Sequence, residues 1–142
     1  MNKLNYLFIS LSILSLIVLF TQVDPIEQDP EYHNFADTRT FFGIPNFFDV
    51  VSNIPFFLAG FYGINVLMWD SQKSFNWRFE SKIQWWVLFT SSSCIAIGSS
   101  YYHWTPNTST LFWDRLPMTV SFMSIVDILL IEKVDPKLGK KM

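Results

Sequence analysis

The chain is poor in cysteine and in charged residues. It has one cysteine among 142 residues, Cys94, which excludes a disulfide within the chain and a zinc site built from cysteines. Cys94 lies in an apolar run, where a small buried hydrophobe is its simplest role. Only 15% of the residues are charged, against roughly 25% in ordinary soluble domains. The net charge is −2 and no basic patch with interleaved aromatic residues is present, so we expect no nucleic-acid partner.

No internal repeat and no Gly- or Pro-rich linker divides the chain, which predicts a single domain. Half of the residues are hydrophobic, including 15 Phe and 6 Trp. They cluster in four segments of about 20 residues, the length that a helix needs to cross a bilayer. The sequence therefore predicts an all-α, multi-pass membrane protein. The predicted helices cover residues 4–23, 45–68, 85–102 and 113–131.

The first segment has two interpretations, a signal peptide and an uncleaved anchor. Lys3 precedes a short apolar run, as it does in signal peptides. The exit of the segment reads Phe20-Thr21-Gln22-Val23 and lacks a small-x-small cleavage pattern, which favours the anchor.

Charge placement orients the predicted helices. The stretch 24–45 is acidic and has a single base, Arg39, whereas the other basic residues fall on one side under alternating crossing. The positive-inside rule then places both termini and the 69–84 loop in the cytoplasm. The short chain carries no transit or retention signal, which favours a bacterial plasma membrane. The cytoplasmic basic residues are Lys3, Lys73, Arg78, Lys82, Lys133, Lys137, Lys140 and Lys141.

Polar residues form a stripe at the start of the second segment. Asn46, Asp49 and Asn53 are spaced by three and four residues and so share one helix face, with Ser52 beside them. One interpretation is close packing with interhelical hydrogen bonds. Asp49 stays open between structure and function, because a carboxylate near a membrane is costly unless it is paired, protonated or bound to a cation.

Three further polar residues converge between the third and fourth segments. Ser99 and His103 are four residues apart and lie on one face of the third helix. Asp114 opens the fourth segment, so we expect it to approach His103 at the outer end of the two helices. The alternatives are an interfacial role for His103 and an ion pair between Asp114 and Arg115, although adjacent helix positions point in different directions.

Two mechanisms use a Ser, a His and an Asp. In a catalytic triad, His103 deprotonates Ser99 and Asp114 orients His103. In a metal hydrolase, His103 binds zinc, Asp114 takes a proton from the activated water, and Ser99 stabilises the oxyanion. The second fits better, because a Ser and a His on one helix are an unusual arrangement for a triad.

These motifs resemble the alkaline ceramidase family. The segment Gly98-Ser99-x-x-x-His103 is followed by Asp114-Arg115-Leu116-Pro117-Met118, and upstream Asn46-Phe47-Phe48-Asp49-Val50-Val51-Ser52-Asn53 is similar to the first motif of that family. The broader group is the CREST superfamily of membrane hydrolases and receptors. The resemblance covers roughly residues 30–120, with three motifs in the same order.

The resemblance implies a seven-helix bundle, of which this chain supplies about four helices, around a zinc ion held by three histidines. His103 corresponds to the first zinc ligand, Asp114 to the acid–base carboxylate, and Ser99 to the serine beside the site. Asp49, Ser52 and Asn53 correspond to supporting positions. The implied reaction is hydrolysis of the amide bond of ceramide, with a ceramide-like lipid as substrate.

The chain departs from the family pattern in two places. Eukaryotic members have an acidic calcium site before the first motif, and here only Asp37 and Asn46 remain as calcium ligands. The only other histidine is His33, and no His-x-x-x-His is present. The sequence therefore predicts a fragment or truncated product that lacks the C-terminal part with two zinc ligands and does not hydrolyse ceramide alone.

Two other classes of function remain open at this point. One is a non-catalytic relative in the same superfamily, either a receptor or a lipid-binding protein. The other is an unrelated membrane module in which the polar stripe only packs helices.

Overall fold

The computed structural model describes residues 3–22, 28–69 and 81–134. It confirms an all-α fold, because the described residues contain no β-structure beyond one isolated bridge. The chain forms two compact units, residues 1–32 and 33–142. The helices are α1 (Lys3–Gln22), α2 (Phe47–Val51), α3 (Ile54–Trp69), α4 (Lys82–Trp104) and α5 (Thr108–Leu129), with a 3₁₀ turn at Pro30–His33 and a π-helical turn at Leu130–Val134.

The first unit contains α1, a helix of 20 residues that coincides almost completely with the first predicted segment. The apolar side chains of α1 that the structure describes are about half exposed; Leu7 is 53% exposed and Leu14 is 55% exposed. Several basic residues on which the predicted orientation depends, Lys73 and Arg78 among them, lie outside the described residues.

The second predicted helix, 45–68, is divided into α2 and α3 by a turn that contains Asn53. Pro55 explains the division, because proline has no N–H to donate to the Val51 carbonyl and its ring crowds that carbonyl. The Asn53 side chain bridges the break, since its Nδ2 donates to the Asp49 carbonyl at 2.9 Å.

The helices α4 and α5 are joined by only three residues, Thr105–Asn107, and form a helical hairpin. The Oδ1 atom of Asn107 accepts from the N–H of Ser109 at 2.9 Å and of Thr110 at 3.0 Å. The Thr110 hydroxyl accepts from the Asn107 N–H at 3.2 Å, which completes a capping box. This cap starts α5 at Thr108 rather than at residue 113.

Small residues bring α4 close to both of its neighbours. A Cβ atom on Gly60 of α3 would lie 2.6 Å from the Phe89 carbonyl of α4. On the other side, the hydroxyls of Ser91 and Ser121 form a buried hydrogen bond of 2.7 Å between α4 and α5. Glycine contacts and serine hydrogen bonds of this kind are how membrane helices pack.

Polar contacts also tie the beginning of α4 to the end of α5. The Oε1 atom of Glu132, in the π-helical turn, accepts from the Ser81 hydroxyl at 3.0 Å and from the Trp85 indole at 3.2 Å. Ser81 is completely buried. These hydrogen bonds therefore hold α4 and α5 together at the end of the hairpin opposite to its three-residue connection.

Among the described residues, one helical stretch, Phe47–Trp69, is long and apolar enough to cross a membrane. It comprises α2, the turn and α3. A single stretch of this kind also occurs as the core helix of soluble proteins, but only 22% of its most apolar window is buried inside the structure. Most of this window is therefore not buried within the structure.

Candidate functional site

Because α5 starts at Thr108 and not at residue 113, Asp114 lies farther along the helix axis from the α4–α5 connection than the sequence predicted. Ser99 is five positions before Trp104, where α4 ends, and Asp114 is six positions after Thr108, where α5 begins. At 1.5 Å per residue, both lie about 8 to 9 Å from the hairpin connection. His103 is about 6 Å nearer to the connection than Ser99. The structure thus places Asp114 level with Ser99, whereas the sequence had placed it level with His103.

At the level of Ser99, the backbones of α4 and α5 meet. A Cβ atom on Gly98 would overlap the Trp113 carbonyl oxygen and would lie 3.4 Å from the Asp114 nitrogen. Pro117 makes this carbonyl available, because proline has no N–H to offer the carbonyl four residues before it. Gly98, the residue before Ser99, therefore brings the α4 backbone against the Trp113–Asp114 peptide of α5.

The imidazole of His103 is unusual because one of its ring nitrogens is buried without a hydrogen-bond partner among the described residues. This nitrogen is Nδ1. The ring packs against Phe35, with centroids 4.5 Å apart, and against Tyr102, with centroids 5.3 Å apart. Asp114 does not orient His103 through Nδ1, so the usual geometry of a triad is not formed.

The second histidine, His33, lies at the same end of the unit. Its Nδ1 atom is 2.9 Å from the Tyr102 hydroxyl and its Nε2 atom is 3.4 Å from the Thr108 hydroxyl. Both ring nitrogens are thus within hydrogen-bond distance of side-chain oxygens. The sequence carried no signal for this placement, because it depends on how the loop before α2 folds back over α4.

Zinc fits the site only in part. A buried imidazole nitrogen without a partner, as in His103, is a suitable ligand atom. Across residues 3–22, 28–69 and 81–134, however, no group of three or more His, Cys, Asp or Glu side chains could hold a metal ion. A three-histidine site would need ligands from outside these ranges.

The carboxylate of Asp37 is 6% exposed and is fully engaged. Its Oδ1 atom accepts from Arg39 Nε at 2.5 Å, and its Oδ2 atom accepts from the Phe48 N–H at 2.8 Å. Burial alone would raise the pKa of Asp37, but the hydrogen bonds from Arg39 and Phe48 and the charge of Arg39 hold this pKa below its ordinary value.

The residues expected to bind calcium are engaged in other bonds. Asn46 donates its Nδ2 to the His103 carbonyl at 2.7 Å, while Asp37 pairs with Arg39. Calcium takes six to eight oxygen ligands, commonly from several carboxylates. The arrangement around Asp37 and Asn46 does not fit this requirement.

The other residues of the first motif stabilise the break between α2 and α3. The Ser52 hydroxyl donates to the Asp49 carbonyl at 2.8 Å, and Asn53 donates to the same carbonyl. Within this motif Asn46 does bond to another helix, through the His103 carbonyl of α4. From α4, the Ser92 hydroxyl donates to the Phe56 carbonyl at 3.1 Å.

An apolar groove of about 690 Å³ runs between α4 and α5, and Cys94 lines it. Since an α-helix turns by about 100° per residue, Ser99 lies about 140° and His103 about 180° around the helix from Cys94. Cys94 therefore faces away from Ser99 and His103. However, Gly98, Trp113 and Pro117 also line the groove, so it borders the helix contact next to Ser99 and Asp114.

Comparisons of the chain with protein-family models, with curated proteins and with solved structures give no match in any of the three.

Proposed function

We propose that the chain is the N-terminal part of a zinc-dependent membrane hydrolase related to the alkaline ceramidases. The observation that carries the proposal is the buried, unpartnered Nδ1 of His103 in the described structure. Ser99 lies one helical turn before His103 and is 7% exposed, and Asp114 lies level with Ser99. The resemblance of the three motifs supplies the substrate class, a ceramide-like lipid.

Each side chain has a role in amide hydrolysis. His103 would hold zinc, which when bound supplies a Lewis acid for the amide carbonyl and activates water. Asp114 accepts a proton from the attacking water and returns it to the leaving nitrogen. Ser99 donates a hydrogen bond to the oxygen that gains negative charge. The C–N bond breaks, and a sphingoid base and a fatty acid are released.

We further propose a multi-pass arrangement in a bacterial plasma membrane, as four helices of a seven-helix bundle. The apolar surface of Phe47–Trp69 and the half-exposed apolar side chains of α1 support burial in lipid. The 142-residue sequence has two histidines, so the remaining zinc ligands would come from a further segment or a second chain.

The two histidines allow a direct test of zinc binding. The 142-residue chain labelled with ¹⁵N at histidine gives two sets of imidazole signals. The variants His33→Gln and His103→Gln assign them. We expect zinc to shift the His103 signals and to leave the His33 signals in place. Equal shifts of both sets, or none, would contradict the proposal. We also expect His103→Gln to lower the zinc affinity at least about tenfold, with His33→Gln as the matched control.

A second candidate function is a helix-packing membrane module without catalysis. The close backbone approaches at Gly60 and Gly98 and the buried Ser91–Ser121 hydrogen bond favour it. It predicts that His103→Gln changes neither the response to zinc nor the thermal stability, so the same two variants distinguish the candidates.

A further inference from the structure

A loop upstream of α2 caps the N-terminus of that helix. The Phe47 N–H donates to the Arg39 carbonyl at 3.1 Å, and the Phe48 N–H donates to Asp37 Oδ2 at 2.8 Å. Asn46 occupies the N-cap position, where its own side chain would ordinarily accept such a bond. It adopts a left-handed conformation instead (φ 47°, ψ 46°) and makes no side-chain cap bond within the described structure. Asp37 therefore takes over the capping role of Asn46.

The side chain of Asn46 is thereby free to cap a different helix. Its Nδ2 atom donates to the His103 carbonyl at 2.7 Å. The last four carbonyls of an α-helix have no partner within the helix, and His103 is the penultimate residue of α4. Asp37 thus caps α2, while Asn46 caps α4. Through Asn46, the loop before α2 is connected to the backbone of His103, the candidate zinc ligand.

The charge of Asp37 is balanced by Arg39 alone among the described side chains. The two side chains form an ion pair in which Asp37 is 6% exposed and Arg39 is 62% exposed. The guanidinium carbon of Arg39 also lies 4.4 Å from the centre of the Phe48 ring, a cation–π contact that fixes its direction. A buried carboxylate is costly unless it is paired and hydrogen-bonded, and here both conditions are met without a metal ion.

We propose that the Arg39 guanidinium takes the place of a calcium ion as the counter-charge of Asp37, and that the Asp37–Arg39 pair positions His103 through Asn46. Arg39 is then a positioning residue, and the site is independent of calcium. The inference rests on the proposed function only in the identity of His103 as a metal ligand; the connection from Arg39 to His103 exists without zinc.

The two histidine signals also report on this connection. The 142-residue chain labelled with ¹⁵N at histidine is compared without metal, with calcium, and with the variants Arg39→Gln, Arg39→Lys and Asn46→Ala. We expect calcium to leave the wild-type His103 signals unchanged. Arg39→Gln and Asn46→Ala should shift the His103 signals in the same direction, and Arg39→Lys, which keeps the charge but loses the planar contact, should shift them less.

Two results would overturn the inference: a shift of the wild-type His103 signals by calcium, and unchanged His103 signals in folded Arg39→Gln protein. If Arg39→Gln does not fold, Asn46→Ala and the calcium titration still decide. A separate zinc titration tests the proposed function, so failure of zinc binding and failure of the positioning role give different spectra.

Discussion

At the residue scale, the protonation of Asp37 links stability to pH. Its pKa is lower in the folded protein than its ordinary value, so the unfolded chain binds the proton more tightly. The stabilisation from the Asp37 carboxylate is therefore fully present above the unfolded pKa of about 4. It is lost as the pH falls through the lower folded pKa. Stability should rise with pH in this window.

Replacing Asp37 by Asn should remove this pH dependence and lower stability at neutral pH, because the amide is a poorer acceptor for Arg39 and for the Phe48 N–H. Thermal unfolding in detergent between about pH 2.5 and 7 measures how the stability of each protein depends on pH. Asp49→Asn is the matched control for loss of a carboxylate in the same region. If wild-type protein and Asp37→Asn lose stability in parallel upon acidification, Asp37 is not the linked group.

The sequence did not predict the hydrogen-bond partners of the residues in the first motif. Asn53 and Ser52 were expected to bond between helices, but they bond to the Asp49 carbonyl beside the break that Pro55 causes. Pro55 was visible in the sequence and could have indicated the break. The partnership of Arg39 with Asp37 depends on a loop conformation, for which periodicity carries no signal.

At the scale of the helices, the contact of Gly98 with the Trp113 carbonyl determines how closely α4 approaches α5. Alanine at position 98 would improve helix propensity by about 1 kcal/mol. Its Cβ would, however, overlap the Trp113 carbonyl, which is backbone and cannot rotate away. The overlap should therefore outweigh the gain in propensity.

We expect Gly98→Ala to lower the free energy of unfolding by about 1–3 kcal/mol. Unfolding in mixed micelles, followed by circular dichroism, measures this change. Ile97→Ala is a control at the adjacent position, whose side chain is 66% exposed. Stability equal to that of wild type in Gly98→Ala would show that α4 and α5 are not in close contact there.

The cap at Asn107 sets both the start of α5 and the level of Asp114. Asn107→Ala removes the acceptor for the Ser109 and Thr110 N–H groups and should lower the free energy of unfolding by about 1 kcal/mol. Asn107→Asp keeps that acceptor and should be close to wild type. Chemical unfolding of the two variants side by side tests the cap, and equal stabilities would argue against it.

At the scale of the whole molecule, clustering of apolar residues was enough to predict the all-α fold of the described residues and the approximate positions of their long helices. The ends of the helices were less predictable, because capping by Asn107 and the break at Pro55 are local events that override the apolar pattern. The candidate site shows the consequence. Moving the start of α5 to Thr108 changed the level of Asp114, although the residues proposed for the site stayed the same.

The proposed membrane arrangement makes a prediction about which ends are accessible. Thr40 and Lys133 are exposed, and α3, α4 and α5 lie between them. Three crossings put them on opposite sides of the membrane. In a Cys94→Ser background, we expect a membrane-impermeant thiol reagent to label Thr40→Cys in intact cells and Lys133→Cys only after lysis. This expectation follows from the proposed orientation, which puts the basic C-terminal region in the cytoplasm.

The native Cys94 provides the control for lipid exposure. It lines the apolar groove between α4 and α5, and maleimides react with the thiolate form of cysteine. In the bilayer, Cys94 should therefore resist the impermeant reagent in intact cells and in isolated membranes. Labelling of both Thr40→Cys and Lys133→Cys from outside intact cells would show an even number of crossings between them. In that case α3, α4 and α5 would not all span the membrane, and the proposed bundle would be wrong.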